Sequence, residues 1–304
     1  RSMPVSVLRC AEVEKPCLQN VIRLDGFEKL IADCVQPRNR RFAGKVGWNK
    51  LQKTCRDLRY APVSLDLDPS VRIVPDNFPT IRRAVQNIDK SDPFDLGKVV
   101  IRPRAEPYME QIVLDKRVML MADPTATERP VIHGRISVDE GGGGSVIRGL
   151  SVRNTNPGDP WGSAIDIYHA RGVLVENCDL TSAANDETVL NLGAGCAARV
   201  MGNTIRGGKA YGVVGISIDG ASTSATIEKN TITSLEVAIR LQPSVTATIR
   251  GNTISRNQKG VQVNDSGIEA IVEQGGFGRI RLHGNSFVEN RDGQDDASFL
   301  RSLE

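Results

Sequence analysis

Ala247-Thr-Ile-Arg-Gly-Asn-Thr-Ile254 restates Ala225-Thr-Ile-Glu-Lys-Asn-Thr-Ile232, which restates Ala198-Arg-Val-Met-Gly-Asn-Thr-Ile205. Looser copies extend the series in both directions: Gly144-Ser-Val-Ile-Arg-Gly-Leu-Ser-Val152, Gly172-Val-Leu-Val-Glu-Asn-Cys-Asp-Leu180 and Gly278-Arg-Ile-Arg-Leu-His-Gly-Asn-Ser-Phe287. Taking Leu150, Asn177, Asn203, Asn230, Asn252 and Asn285 as equivalent, the steps are 27, 26, 27, 22 and 33 residues. Self-similarity at roughly 20–30 residues means a stack of like units, each burying its apolar face against its neighbours.

A second phrase sits about ten residues ahead of each copy. It has the form small–aliphatic–polar–aliphatic: Ala164-Ile-Asp-Ile167, Val189-Leu-Asn-Leu192, Gly215-Ile-Ser-Ile218, Ala238-Ile-Arg-Leu241 and Gly260-Val-Gln-Val263. Alternation turns the aliphatic pair inward and the middle polar residue outward. The Asn of the first phrase falls at a turn. Asn tolerates the left-handed conformation there, and its amide can bond the same position in the next coil. Stacked amides of this kind hold coils in register, so a structural role accounts for Asn177, Asn203, Asn230 and Asn252.

Upstream, Val99-Val-Ile101, Gln111-Ile-Val-Leu114, Val118-Met-Leu-Met121 and Val131-Ile132 are short apolar strands spaced for three per coil. Pro79-Thr-Ile-Arg-Arg-Ala-Val-Gln-Asn-Ile88 predicts a short amphipathic helix, with Pro at a tolerated first-turn position and Ile81, Ala84, Val85 and Ile88 on one face. A stack of strands needs its open end covered, and this helix suits that task. The expected architecture is all-β: a right-handed, single-stranded parallel β-helix over residues 77–290, with the capping helix and a small helical segment at 1–60. Residues 61–76 read as a connector with one or two short strands, and 291–304 as a tail or cap.

The net charge of +3 hides an asymmetry, because residues 1–60 carry 13 Lys/Arg against 6 Asp/Glu and the remainder 26 against 30. The basic segment offers a contact for an acidic partner, although a solvated helical face explains it equally simply. Nothing has the aromatic interleaving of a nucleic-acid reader, so no specific nucleic-acid partner is expected. No apolar run reaches the ~18 residues of a membrane span, which favours a soluble protein, cytoplasmic rather than secreted. Cys10, Cys17, Cys34 and Cys55 permit two disulfides, and Cys178 and Cys196 fall in the repeats. The reading leans to free, buried thiols, and the absence of a Cys-x-x-Cys pair argues against zinc.

Phe78-Pro-Thr-Ile-Arg-Arg-Ala-Val85, Val99-Val-Ile-Arg-Pro103, Pro107-Tyr-Met-Glu-Gln-Ile-Val113 and Pro130-Val-Ile-His-Gly134 resemble the first coils of the pectin-lyase-like superfamily, in the manner of pectin methylesterases. The later Asn-Thr-Ile copies resemble the carbohydrate-binding and sugar-hydrolase (CASH) repeats, which also occur in β-helix F-box proteins. This resemblance spans roughly residues 70–290 and implies the fold. The Gln-Asp pair and the Asp-Phe-Ile-Phe-Gly-like phrase of the methylesterases are missing. Trp48-Asn-Lys-Leu-Gln-Lys-Thr-Cys-Arg-Asp-Leu-Arg-Tyr-Ala-Pro62 resembles the last helix of an F-box without its leading Leu-Pro and terminal Leu-Trp.

Candidate chemistry lies on the outward side of the repeated strand. One row is Asp166, Asn191, Ser217, Arg240, Gln262, and a second is Tyr168, Gly193, Asp219, Gln242, Asn264. Asp166, His169, Asp219 and Arg240 are the catalytic candidates, and Trp161, Tyr168, Asn191 and Gln242 the ligand-binding ones. Asp166 and Asp219 stand about two coils, or ~10 Å, apart, too far for a retaining carboxylate pair and marginal for an inverting one. Arg240 is placed to pair with Asp219 or to bind a carboxylate sugar. His133, His169 and His283 are scattered, so no metal site is expected. Gly141-Gly-Gly-Gly144 and Gly193-Ala-Gly195 lack the partners of phosphate or dinucleotide loops and read as corners.

Two functions fit. The first is a non-catalytic recognition scaffold that takes a protein or a polysaccharide on its outward polar sheet, with no cofactor. The second is a lyase, epimerase or hydrolase acting on a uronate-type polymer, for which calcium would be the cofactor expected.

Overall fold

The computed structural model describes residues 71–89, 96–154, 162–182, 187–208, 212–242, 244–263 and 280–291. The chain divides between Leu65 and Asp66. The basic segment expected to be helical, its F-box-like stretch, its four cysteines and the tail from 292 onward lie outside the described residues, as does Trp161.

Among the described residues every strand pairs in parallel, and from Gly97–Ile101 onward consecutive strands go to different sheets. Three sheets result, of nine, eight and seven strands; each complete coil gives one strand to each, while the first coil gives a strand only to the nine-stranded sheet and the last described coil gives none to the seven-stranded one. Val71–Val74 pairs with Gly97–Ile101 in the nine-stranded sheet, so the stack begins inside the stretch expected as a connector. The predicted helix is present as Ile81–Gln86, with the Thr80 hydroxyl accepting from Arg83 N–H and the Glu110 carboxylate accepting from Ile81 and Arg82 N–H. Ile81, Ala84 and Val85 enter the core beside the first strands.

The interior is a set of aliphatic columns. One runs Ile112, Ile136, Ile165, Leu190, Ile216, Ile239, Val261, each residue in register with the next. Another runs Ile132, Val152, Leu180, Ile205, Ile232, Ile254. The β-branched residues suit the pleat, and each such side chain contributes about 1.5–3 kcal/mol on burial.

At the corner between the nine- and eight-stranded sheets, amides form the internal ladder. Asn230 Oδ1 accepts from the backbone N–H of Asn203 (2.9 Å) and from its Nδ2 (3.0 Å). Asn230 Nδ2 donates to Val200 O (3.0 Å) and to Asn252 Oδ1 (2.9 Å). Asn252 repeats the pattern onto Asn285. The assignment of Asn177 to this ladder needs correction. Asn203 Oδ1 accepts from Cys178 N–H, so Cys178 holds the ladder position while Asn177 fills the left-handed corner (φ 52°) that Gly202 and Gly251 fill elsewhere. Asn177 is exposed, and its Oδ1 accepts from Arg129 (2.7 Å).

A second ladder, not foreseen, follows five residues later. Asn257 Oδ1 accepts from Leu235 N–H (3.1 Å), and Asn290 Oδ1 accepts from both nitrogens of Asn257 (3.0 Å each). In these last coils, amides therefore bracket both ends of each short strand of the eight-stranded sheet. Outside the nine-stranded sheet, Glu228, only 2% exposed, is held between Arg199 and Arg250, with Arg250 Nε donating at 2.7 Å.

Candidate functional site

On the outward face of the seven-stranded sheet, a polar side chain stands in each of six successive coils after the exposed Val113 of the sheet's first strand. Register places Ser137, Asp166, Asn191, Ser217, Arg240 and Gln262 in a single row. A neighbouring row is set by backbone hydrogen bonds from Gly193 to Ile167, from Asp219 to Leu192 and from Gln242 to Ile218, which stack Tyr168, Gly193, Asp219 and Gln242. The two expected rows are thus present, apart from Asn264, which lies outside the described residues.

Three of these groups converge. The Tyr168 ring lies over Gly193, where an added Cβ would stand 2.1 Å from ring carbon Cε1; only glycine leaves room for the ring. Its hydroxyl accepts from Asn191 Nδ2, and the other amide atom, Oδ1, is buried with no hydrogen-bond partner among the described residues. Asp219 lies one coil beyond Gly193. Its half-buried carboxyl has no hydrogen-bond or ion-pair partner among the described residues, and burial raises its pKa. Burial also raises the Tyr168 phenol, and the charges of Asp166 and Asp219 add to it.

The other candidates are placed differently. Asp166 is 3% exposed, with Oδ2 3.6 Å from Arg135 Nε. Arg135 was missed in the sequence. It precedes Ile136-Ser-Val138 at the position where the later coils have a small residue, and aligning that early strand with them would have exposed it. His169 sits exposed at a left-handed corner (φ 55°), its backbone N–H donating to Ala194. Arg240 forms no ion pair with Asp219 and lies between Ser217 and Gln262. Gln242 turns inward to the corner, where its Oε1 accepts from Gly220 N–H (3.2 Å).

No group of three His, Cys, Asp or Glu among the described residues is placed to hold a metal ion. His133 is on the eight-stranded sheet and His283 on the nine-stranded one. Cys178 and Cys196 are free and buried, and burial pushes their thiols up to about 11 and about 12. No helix among the described residues is long and apolar enough to cross a membrane.

The stacked coils match the family described as the right-handed beta helix region over residues 136–298. That is more than half of the chain, and the chain belongs to this family, in keeping with its resemblance to pectin-lyase-like proteins. Comparison with curated proteins and with solved structures gives no match.

Proposed function

We propose that this chain is a recognition module that binds an extended polysaccharide along the outward face of the seven-stranded sheet. The observation that carries this reading is the row Ser137, Asp166, Asn191, Ser217, Arg240, Gln262, in which a polar side chain stands in six successive coils, Asp166 and Ser217 of them buried. Its pitch of ~4.8 Å is close to the repeat of an extended sugar chain, so successive residues of a glycan meet successive coils. Tyr168 supplies a ring beside the row, held by a hydrogen bond from Asn191. Asp166 is engaged by Arg135, which leaves it poorly suited to take a proton.

Asp219 favours a second reading, an enzyme acting on a uronate-type polymer. A half-buried carboxyl with a raised pKa is the state a general acid needs. Both readings meet in one experiment. Oligogalacturonates are titrated into the protein by calorimetry, with and without calcium, and the mixtures are assayed for unsaturated and reducing ends. Binding without product release, weakened about tenfold by Tyr168→Ala or Asn191→Ala, is expected. Product release abolished by Asp219→Asn would establish the enzyme instead. If neither is seen, or if the variants bind as well as the parent, the sheet is not a glycan site.

A further inference from the structure

A cleft of about 490 Å³ opens where the eight-stranded sheet turns into the seven-stranded one. That volume is in the range of small-molecule sites. One wall is made by three corner residues, Ser234, Arg256 and Glu289, all left-handed (φ 61°, 58° and 57°). The other wall is Glu236, Gln258 and Arg291, each two residues further along its coil. Leu235 and Asn257 form the floor, and the Asn257 amide is spent in the second ladder. Each coil thus supplies an opposed pair: Ser234 with Glu236, Arg256 with Gln258, Glu289 with Arg291. From the first pair to the third is two coil steps, ~10 Å.

The charges are unevenly spent. Arg256 Nε donates to Glu289 Oε2 at 3.1 Å, in an exposed pair. Glu236, Gln258 and Arg291 make no side-chain hydrogen bond or ion pair with a described residue. The cleft therefore offers a carboxylate at one end, a guanidinium beside a carboxylate at the other, and between them an amide facing the Arg256 guanidinium, which Glu289 holds.

We infer that this cleft binds a free basic α-amino acid of the lysine type. The guanidinium of Arg291 takes the α-carboxylate, and Glu289 on the facing wall takes the α-ammonium through Oε1, the oxygen that its pair with Arg256 leaves open. The side chain runs along the floor past Gln258, and Glu236 takes its terminal cation. A ligand charged only at its α-centre leaves Glu236 unused, which is where selectivity arises. The cleft is separate from the polar row, so this inference does not rest on the glycan reading.

The test is calorimetric titration of the full chain with L-lysine, L-norleucine and Nα-acetyl-L-lysine. L-Lysine is expected to bind about tenfold more tightly than either analogue, with an affinity that falls as salt is added. Glu236→Gln is expected to erase the preference for lysine over norleucine while leaving norleucine unchanged, and Arg291→Gln to weaken both. Both positions are at the surface, and unchanged thermal melts will show that the variants fold. Absence of lysine binding overturns the inference. So does equal binding of norleucine, or a lysine preference that survives Glu236→Gln.

Discussion

An Asn in the ladder is a residue with no spare capacity. Asn230 satisfies two donors of Asn203 through one oxygen and spends its own two hydrogens on Val200 and Asn252. Replacing it with Ala strands two buried donors of Asn203 and takes a donor from Val200 O, while Asn252 Oδ1 keeps the backbone N–H of residue 230. A cost of about 3 kcal/mol is expected from leaving buried groups unsatisfied. Thr231, the next residue, is exposed on the outward face. Thr231→Ala should stay within about 0.5 kcal/mol of the parent. Urea denaturation followed by circular dichroism will measure both, and equal midpoints would mean that the amides are not what holds adjacent coils together.

The element is the coil, and here the sequence was legible because its period was printed in three near-identical phrases. Alternation around Asp166, Asn191, Ser217, Arg240 and Gln262 gave the outward row correctly, since a two-residue period leaves no choice of face. It failed where one residue decides the corner. Glu176-Asn-Cys-Asp179 contains an Asn at nearly the expected place, and only the pairing of Asp179 with Thr204 shows that Cys178 is the equivalent of Asn203. The contact between Tyr168 and Gly193 was also out of reach, because it depends on how far a ring reaches across to the next coil. At Gly215 the small residue that opens a strand phrase explains itself in space. A Cβ on Gly215 would stand 2.5 Å from Ala238 O and 2.8 Å from Leu235 Cδ1. Gly215→Ala should therefore cost about 1–3 kcal/mol, because the obstructing atom is backbone. Gly202 has open space around it and differs only in its φ of +66°. Gly202→Asn should be nearly neutral in the same melts, as Asn177 already fills the matching corner.

Across the whole molecule, coils touch only their neighbours, so links that span several coils matter most. Glu228 is one, tying Arg199 in the coil before to Arg250 in the coil after. Burial disfavours its charge, yet hydrogen bonds and charge from both arginines outweigh burial and lower its pKa. Asp123 is likewise lowered against burial by Thr125 and Arg102. A carboxylate with a depressed pKa contributes stability that is present above its unfolded value and lost as pH falls through its folded value. Thermal midpoints should thus hold near neutrality and fall as pH drops through and below the ordinary carboxylate range. In Arg250→Gln the midpoint should be lower at neutral pH and decline less steeply in acid. A parallel decline in both proteins would assign the acid sensitivity to other groups.

The ladder contacts join residues 25, 27, 22 and 33 apart, yet every one of them spans a single coil step. Sequence distance and spatial distance are thereby uncoupled. A residue's address in this protein is its coil and its column, and the number of residues spent in reaching the next coil is open to change. Insertions and deletions at the corners can lengthen or trim the loops that border the polar row and the cleft, while every column keeps its neighbours. Such a chain can alter the rim of a binding surface by editing length alone, without renegotiating the packing beneath it.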